Sequence, residues 1–420
     1  MRYLSNPQPG AVPPDHPMLD ANAARAVVAL LRECFDYRPT PLVDLRGIAE
    51  REGLAMVSIK DEGARLGLKS FKALGGAYAV FRLVLAEASR RLNRNVTADE
   101  LPRAASGSLA LPAHGTADRP GHSAVAAIAA GMTFACATDG NHGQSVAAGA
   151  RLVGARAIIF VHEGVSAERR EAIARFGAEI HEVPGSYDDA VAESKHQCEI
   201  HGWTLLSDTS WPGYTTAPAL VMQGYTAMTH ELHSQLGAAP THVFLQAGVG
   251  GFAAALATSL ASVFEPAPRV VIVEPTRAAC LLASAEAGTA VRIDADAPTA
   301  MAMLECYEPS LLAWDLLQPM ATAFMAVDDE DAVAAMRRLA RPLKDAEVVV
   351  AGESGSAGLA GLLAACGAPD IKTALGLDET ARVLLINTEG ATDEARYAAA
   401  VGQSAAEVAA RIPASRFDTL

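Results

Sequence analysis

The sequence contains no closely spaced pair of cysteines and no cluster of histidines. Its cysteines stand far apart along the chain, at Cys34, Cys136, Cys198, Cys280, Cys306 and Cys366. The common zinc motifs need a Cys-x-x-Cys pair or nearby histidines, so these spacings indicate no metal site. We expect the six side chains to be buried thiols.

Long hydrophobic runs and an excess of positive charge are also missing. Segment 1–17 is rich in proline and lacks the apolar stretch of a signal peptide, and no later run is long enough to span a membrane. The chain carries 48 acidic and 34 basic residues, a formal charge of −14, which disfavours nucleic-acid phosphates and anionic lipid as partners. We therefore expect a cytoplasmic protein that binds a small molecule and neither nucleic acid nor membrane.

What the sequence does contain is a repeated alternation of β-rich runs, turns and helical patterns. One series begins near residue 133 and a second near residue 241. This alternation predicts parallel sheets covered by helices, and 420 residues, half of them hydrophobic, are enough for two domains. The predicted fold class is α/β, with two open parallel-sheet α/β domains and the active site in the cleft between them.

Changes of pattern along the chain predict the domain boundaries. Residues 1–90 and 238–420 are expected to form a large domain, and residues 125–237 a smaller, mobile α/β domain. Residues 91–124 carry proline, glycine, serine and charge without a clear period, so we interpret them as an inserted connection at a domain edge.

A lysine at the start of a predicted helix is the first candidate for chemistry. Lys72 follows Ser70 and Phe71 and precedes Ala-Leu-Gly-Gly. Apolar surroundings there favour the neutral amine, which is the nucleophilic form and can make an imine. A solvated lysine on a helix face is the usual alternative, and the tripeptide alone does not exclude it.

Two glycine-containing turns lie where each series passes from a strand to a helix. The first, TDGNHG at 138–143, places polar groups at the carboxyl end of a strand, where open α/β sheets bind ligands, although a simple helix cap has the same pattern. In the second, Gly248, Val249, Gly250 and Gly251 leave backbone N–H groups able to converge on a phosphate. This loop lacks the third glycine of a dinucleotide fingerprint and the lysine of a nucleotide P-loop.

The order of these motifs resembles that of a known enzyme family. S-F-K, T-D-G-N-H-G, the glycine loop and N-T-E-G at 387–390 are similar to the fold-type II (tryptophan synthase β-like) family of pyridoxal 5'-phosphate (PLP) enzymes, which includes the serine and threonine dehydratases. Within it, DTSWPGY at 208–214 and AMAMLECYEPSLLAW at 300–314 most resemble the diaminopropionate ammonia-lyases. The resemblance runs from about Tyr37 to Asp393 and implies PLP as the cofactor.

The resemblance also implies a role for each motif residue. Lys72 resembles the lysine that forms the Schiff base, with Phe71 beside it, and Asn141 resembles the residue next to the 3'-oxygen of the cofactor. Gly248, Val249, Gly250 and Gly251 resemble the phosphate loop. Thr388 resembles the hydroxyl that contacts the pyridine nitrogen, and a neutral partner at that nitrogen suits elimination more than transamination.

Two aspartates, Asp139 and Asp208, resemble acid/base carboxylates of the family. A second base opposite Lys72 would let either configuration at Cα lose its proton, and an acid near Cβ could protonate a departing amine. Helix capping or a turn is the alternative role for each. A buried carboxylate would also pair with a β-ammonium, which favours an amine over a hydroxyl as the leaving group.

The function implied by the resemblance is that of a PLP-dependent carbon-nitrogen lyase in amino acid catabolism. It would perform β-elimination on 2,3-diaminopropionate to give pyruvate and two ammonia molecules, as a homodimer. A serine/threonine dehydratase-type lyase is the alternative that shares all cofactor residues, and a β-replacement, cysteine synthase-like transferase is a more distant one. A binding protein without catalysis is disfavoured by Lys72, Asn141 and the glycine loop. The sequence does not specify which enantiomer reacts, whether a monovalent cation binds or which effectors act.

Overall fold

The structure is a computed structural model that describes residues 1–6, 17–35, 37–102, 124–138, 140–295, 297–342 and 347–416. Asp139, one of the two predicted acid/base residues, lies outside the described residues. So does most of the predicted connection 91–124. Within residues 91–124, the structure describes the last residues of one helix, a short 3₁₀ turn at Ala98–Glu100, and residue 124, which begins another helix.

The strands of the described residues form two sheets. Their bounds are β1 (Arg2–Ser5), β2 (Leu42–Asp44), β3 (Met56–Asp61), β4 (Thr133–Ala137), β5 (Arg156–His162), β6 (Glu179–Val183), β7 (Thr204–Leu205), β8 (His242–Gln246), β9 (Arg269–Pro275), β10 (Ala321–Val327) and β11 (Arg382–Asn387). The larger sheet has the order β1-β10-β9-β8-β11-β3-β2, and the smaller one has the order β6-β5-β4-β7. The last strand along the chain, β11, therefore lies in the interior of the larger sheet.

Helices pack against both sheets. Their bounds are α1 (Ala21–Cys34), α2 (Arg46–Glu52), α3 (Lys72–Leu92), α4 (Ala124–Ala130), α5 (Asn141–Val153), α6 (Ala167–Ala174), α7 (Tyr187–His201), α8 (Thr216–Tyr225), α9 (Ala227–Gln235), α10 (Gly251–Ala261), α11 (Cys280–Ala287), α12 (Leu311–Met320), α13 (Asp329–Ala340), α14 (Ala357–Gly367), α15 (Pro369–Leu375), α16 (Glu394–Val401) and α17 (Ala405–Ala409). Lys72 is the first residue of α3, so its predicted place at a helix start is confirmed.

The predicted α/β class with parallel sheets is confirmed in the interior of both sheets and wrong at two edges. The described pairs of the smaller sheet are parallel, as are those from β10 through β9, β8 and β11 to β3. The edge strands β1 and β2 instead pair antiparallel with β10 and β3. Strand β2 is joined to β3 through α2 by residues 45–55 alone, fewer than the roughly dozen residues that a parallel crossover needs, and β1 pairs with a strand far along the chain.

One of the two glycine turns is shorter than its sequence suggests. Asn141, His142 and Gly143 already belong to the first turn of α5, and Gln144 N donates to the carbonyl oxygen of Gly140 at 3.0 Å. The polar residues therefore lie at the start of a helix that directly follows β4.

The strands of the larger sheet come from residues 2–61 and 242–387, and those of the smaller sheet come from residues 133–205. The exact domain boundaries stay a prediction.

Helix α3 connects the two halves of the molecule through close packing. It lies against α5, which follows a strand of the smaller sheet, and against α8. A Cβ atom at Gly75 would lie 2.5 Å from the ring of Tyr225 in α8, so a larger residue cannot replace this glycine without displacing α8. Leu74, Val80 and Val146 belong to the hydrophobic core on this side. Lys72 is thus attached to a rigid, buried helix.

Several predicted properties of the chain can be checked on the described residues. All six cysteines are free thiols, as predicted, but Cys306 and Cys366 are partly exposed while the other four are buried. Within the described ranges, no helix is long and apolar enough to cross a membrane, and no group of three or more His, Cys, Asp or Glu side chains could hold a metal ion.

A cluster of buried charges lies beneath the segment that leads to α3. The Arg65 guanidinium contacts Glu62 at 2.7 Å and Glu231 of α9 at 2.7 Å, and Lys60 Nζ is 2.5 Å from Glu231. Thr40 N donates to the same Glu231 carboxylate at 3.0 Å. Burial acts to raise the pKa of Glu231, but the cations of Arg65 and Lys60 outweigh it and lower the pKa to about 2. The cluster therefore joins the chain before β2, the end of β3 and helix α9.

Removing one member of this cluster should destabilise the protein strongly. In Glu231→Gln, Arg65 and Lys60 stay buried without their shared anion, and we expect the free energy of unfolding to fall by about 3–5 kcal/mol. Chemical denaturation measures this change. Glu286→Gln is the control, because its ion pair with Arg2 is exposed and should contribute less than about 1 kcal/mol. Equal effects of the two variants would contradict a stabilising role for the cluster.

Candidate active site

A cavity with an empty volume of about 960 Å³, including its open mouth, lies where the two sheets face each other. Its lining comes from the start of α3, the turn after β4, the loop after β8, the segment 302–306 and the residues after β11. Most of these follow the carboxyl ends of parallel strands, where ligands bind in open α/β sheets. The structure thus brings the predicted motifs, which are distant in sequence, to one place.

Lys72 is held in the cavity by a backbone pairing with the C-terminal motif. Phe71 N donates to the carbonyl oxygen of Thr388 at 3.0 Å, and Gly390 N donates to that of Lys69 at 3.0 Å. Ser70 and Glu389 form the bridge between these two hydrogen bonds. The segments S-F-K and N-T-E-G therefore occupy adjacent positions, and the orientation of α3 is fixed where Lys72 begins it.

The Lys72 amine forms an ion pair with Asp208 inside the cavity. Lys72 Nζ lies 2.8 Å from Asp208 Oδ2, and the two side chains are 21% and 16% exposed. Burial acts to raise the pKa of Asp208, but Lys72 and His142 outweigh it and lower the pKa below the usual range of a carboxyl. A proton donor and a proton acceptor thus lie in contact inside the cavity.

The glycine loop forms a cradle suited to an anion. It follows β8, and α10 begins at Gly251, so N–H groups of the first helical turn, which have no partner within the helix, belong to residues that line the cavity. Gly250 has φ +94, and a Cβ atom there would lie 3.2 Å from Ala313, Leu281 and Leu317. A phosphate group fits such a loop because backbone N–H donors and the helix dipole both favour negative charge.

Thr388 has a hydroxyl proton available for a ligand. Gln246 Nε2 donates to Thr388 Oγ1 at 3.0 Å and to the carbonyl oxygen of Ile386 at 2.8 Å. Because Thr388 Oγ1 already accepts a hydrogen bond, its own proton is left to donate, and the Ser354 carbonyl oxygen is a distant acceptor at 3.5 Å. This arrangement fits the unprotonated nitrogen of a pyridine ring.

Asn141 and Phe71 also line the cavity, together with His142. Asn141 Nδ2 donates to Glu389 Oε2 at 2.9 Å, which joins the start of α5 to the segment after β11. His142 Nε2 lies 2.8 Å from the Leu206 carbonyl oxygen, and burial lowers the pKa of this imidazole. The Phe71 ring packs 4.5 Å from that of Phe252, so it belongs to an aromatic cluster as well as to the cavity wall.

Some lining residues have no predicted role, and one predicted residue is not described. The motif N-T-E-G predicts a role for Thr388 but none for Glu389, although its position beside Thr388 after a strand is the signal that marks it. Gln246 and Glu305 also line the cavity. Asp139 lies outside the described residues, whereas its neighbours Thr138 and Gly140 are among the lining residues.

Comparisons with known proteins agree with this arrangement. The family model described as pyridoxal-phosphate dependent enzyme matches residues 34–389. The diaminopropionate ammonia-lyase of Escherichia coli K12 is 36% identical over 388 residues, covering 91% of this chain and 92% of that protein. The enzyme of the same name from Salmonella typhimurium is 35% identical, covering 90% and 92%.

Solved structures give the same result in three dimensions. The crystal structure of the E. coli enzyme with an aminoacrylate-PLP azomethine reaction intermediate matches with a TM-score of 0.81 and 34% identity, covering 95% of this chain and 96% of that one. A threonine deaminase isoform from Solanum lycopersicum shares the fold alone, with a TM-score of 0.67 at 18% identity. The predicted family, fold type and cofactor are thus confirmed: this chain belongs to the family of PLP-dependent enzymes.

Proposed function

We propose that the chain is a PLP-dependent carbon-nitrogen lyase that converts 2,3-diaminopropionate and water to pyruvate and two ammonia molecules. The E. coli relative with this printed activity, at 36% identity over 91% of the chain, supports the reaction class. At the level of residues, the observation that carries the proposal is the ion pair between Lys72 and Asp208, 2.8 Å apart in the cavity that also contains the glycine loop.

The charge of the cavity favours an amine as the leaving group. Asp208, Glu305 and Glu389 are carboxylic residues of the described lining, and Lys72 and His142 are basic ones. The substrate 2,3-diaminopropionate carries a second ammonium at Cβ, which needs an anionic partner once it leaves water. Serine carries a hydroxyl at that position and gains nothing comparable from an extra carboxylate.

The residues that would hold the cofactor surround one point of the cavity. Lys72 Nζ would supply the nucleophilic amine with Phe71 beside it, and Gly248–Gly251 would bind the phosphate through backbone N–H groups. Thr388 would donate its hydroxyl proton to the pyridine nitrogen, and Asn141 would lie beside the 3'-oxygen. When bound, PLP supplies an electron sink for the negative charge that develops at the substrate Cα.

Lys72 and Asp208 divide the proton transfers between them. Lys72 Nζ accepts the proton from the substrate Cα, because a neutral amine near a buried anion is a competent base. Asp208 contacts the departing β-amine, first pairing with its positive charge. Asp139 remains a second candidate base, which would let both enantiomers react.

The environment of Asp208 allows it to change its protonation state. Burial acts to raise the pKa of its carboxyl, and the Lys72 cation is the main opposing influence. Once Lys72 Nζ no longer carries a positive charge, the effect of burial remains and the pKa of Asp208 rises. The same carboxyl can then take a proton from the bound β-ammonium and return it to that nitrogen as the bond to Cβ breaks, so that the nitrogen leaves as neutral ammonia.

A homodimer in the cytoplasm, acting in amino acid catabolism, completes the proposal. Its basis is the frequency of two-fold symmetric assembly among soluble enzymes. The two predicted α/β domains, with bounds at 1–90 and 238–420 and at 125–237, would close on the substrate in the cavity between the sheets.

The stoichiometry of products tests the proposed reaction. We expect 2,3-diaminopropionate to give two ammonia molecules per pyruvate, with serine at least about a hundredfold slower, because a carboxylate selects the buried ammonium. Coupled assays for pyruvate and ammonia with both enantiomers of each substrate measure this. Preference for serine, with one ammonia per pyruvate, would indicate a dehydratase, and a thioether product formed with added thiol would indicate β-replacement.

In Lys72→Ala, the covalent cofactor linkage and its visible absorption should both be lost.

Replacing the carboxylate partner of Lys72 should slow turnover without removing the cofactor. In Asp208→Asn we expect kcat to fall by about 10²–10⁴, the usual contribution of a general acid or base, while visible absorption of the bound cofactor persists. Steady-state kinetics and an absorption spectrum on the same preparation separate the two effects. Asp315→Asn removes an exposed carboxylate of α12 and serves as the control. A kcat within twofold of wild type for Asp208→Asn would contradict its assigned role.

The glycine loop offers a test of phosphate binding. Gly250→Ala forces a Cβ atom into a left-handed backbone and against three side chains, and we expect the affinity for PLP to fall at least about tenfold, since displaced N–H donors lose charge-assisted hydrogen bonds. Equilibrium dialysis of apoenzyme with PLP measures the loss. The matched control is Gly154→Ala, where φ is +75 but nothing lies within 4 Å. If both variants lose affinity equally, the effect is general backbone strain.

A further inference from the structure

Glu389 makes a hydrogen bond across the cavity that none of the roles above uses. Its side chain is 4% exposed, and its Oε2 accepts a hydrogen bond from Asn141 Nδ2 at 2.9 Å. The two residues come from opposite sides of the site, Asn141 from the helix behind β4 and Glu389 from the segment after β11. This bond therefore connects the smaller sheet to the larger one at the cavity.

We propose that Glu389 is a positioning residue that fixes the side-chain amide of Asn141, so that one N–H of its Nδ2 is held by Glu389 and the other is presented to the 3'-oxygen of PLP. The inference rests on the proposed function for the placement of Asn141 beside that oxygen. An amide nitrogen has two protons, and a carboxylate can only accept. Glu389 thus selects the orientation of Asn141 in which nitrogen, and not oxygen, faces the cofactor.

The backbone around Glu389 is rigid enough for such a role. Its carbonyl oxygen accepts a hydrogen bond from Gly352 N at 2.9 Å, and Glu389 bridges Ser70, two residues before Lys72. A Cβ atom at Gly355 would lie 2.4 Å from the same carbonyl oxygen, which shows how closely this chain packs. The residue that orients Asn141 is therefore part of the frame that holds the Schiff-base lysine.

The charges around Glu389 make its ionisation state responsive near neutral pH. Burial and the nearby Glu353 raise the pKa of Glu389 to about 7, while the hydrogen bonds from Asn141 and Ser354 and the cation of Arg169 act to lower it. The deprotonated carboxyl requires the nitrogen of Asn141, whereas the protonated carboxyl can donate to its oxygen. Orientation of the amide is therefore best defined above the pKa of Glu389.

The test compares Glu389→Gln and Glu389→Ala with wild-type holoenzyme, using PLP as the probe. Removing a negative charge near the cofactor should destabilise the protonated, cationic form of the lysine–cofactor linkage. We expect the midpoint of the pH titration of visible absorption to move to lower pH in both variants. In Glu389→Ala the affinity for PLP should also fall by about tenfold or more, the loss typical of a hydrogen bond to a charged group.

Two further variants separate positioning from a general structural effect. Glu347→Gln removes another buried carboxylate, one that accepts a hydrogen bond from Gly47 N at 3.0 Å away from the cavity, and it should leave the spectral titration unchanged. In an Asn141→Ala background, Glu389→Ala should cause little further loss of PLP affinity, because the two residues act through one bond.

Additive losses in the double variant, or an unchanged titration in Glu389→Gln, would overturn the inference while leaving the proposed reaction intact. A wild-type protein that bound no PLP would instead contradict the proposed function itself. Because absorption and PLP affinity are both measured without substrate, the two failures cannot be confused.

Discussion

The active site depends on a backbone pairing between segments from opposite ends of the chain. Residues 69–71 lie beside residues 388–390, joined by hydrogen bonds of 3.0 Å from Phe71 N and from Gly390 N. Through this pairing the first residue of α3, the hydroxyl of Thr388 and the carboxylate of Glu389 acquire fixed positions relative to one another. A site whose groups must act together on one small molecule needs such a frame.

The cost of placing charged groups in this frame is offset by pairing them. Beneath the segment that leads to Lys72, two cations and two carboxylates are buried together, and in the cavity Lys72 is paired with Asp208. The first cluster is fully buried, whereas the second borders the cavity. The same electrostatic rule, that a buried charge needs a partner, thus accounts for both groups of charges.

Much of this organisation is predictable from sequence because local signals are strong. The alternation of strands and helices indicates the α/β class, and S-F-K, T-D-G-N-H-G, the glycine loop and N-T-E-G mark the residues that meet in the cavity. The alternation does not indicate the direction of β1 and β2, because β1 pairs with the distant β10 and the segment between β2 and β3 is too short for a parallel crossover. The contact between Asn141 and Glu389 is also beyond local patterns, since it depends on how the two sheets face each other.

The position of β11 has a consequence for how the protein is made on the ribosome. This strand lies between β8 and β3 in the larger sheet, yet it is the last of the described strands to be synthesised. Until it emerges, β3 and β8 present unpaired edges, and neither Thr388 nor Glu389 exists to complete the cavity. The nascent chain therefore cannot hold PLP in a finished site before β11 has been synthesised, and until then its strand edges are open to pairing with other chains.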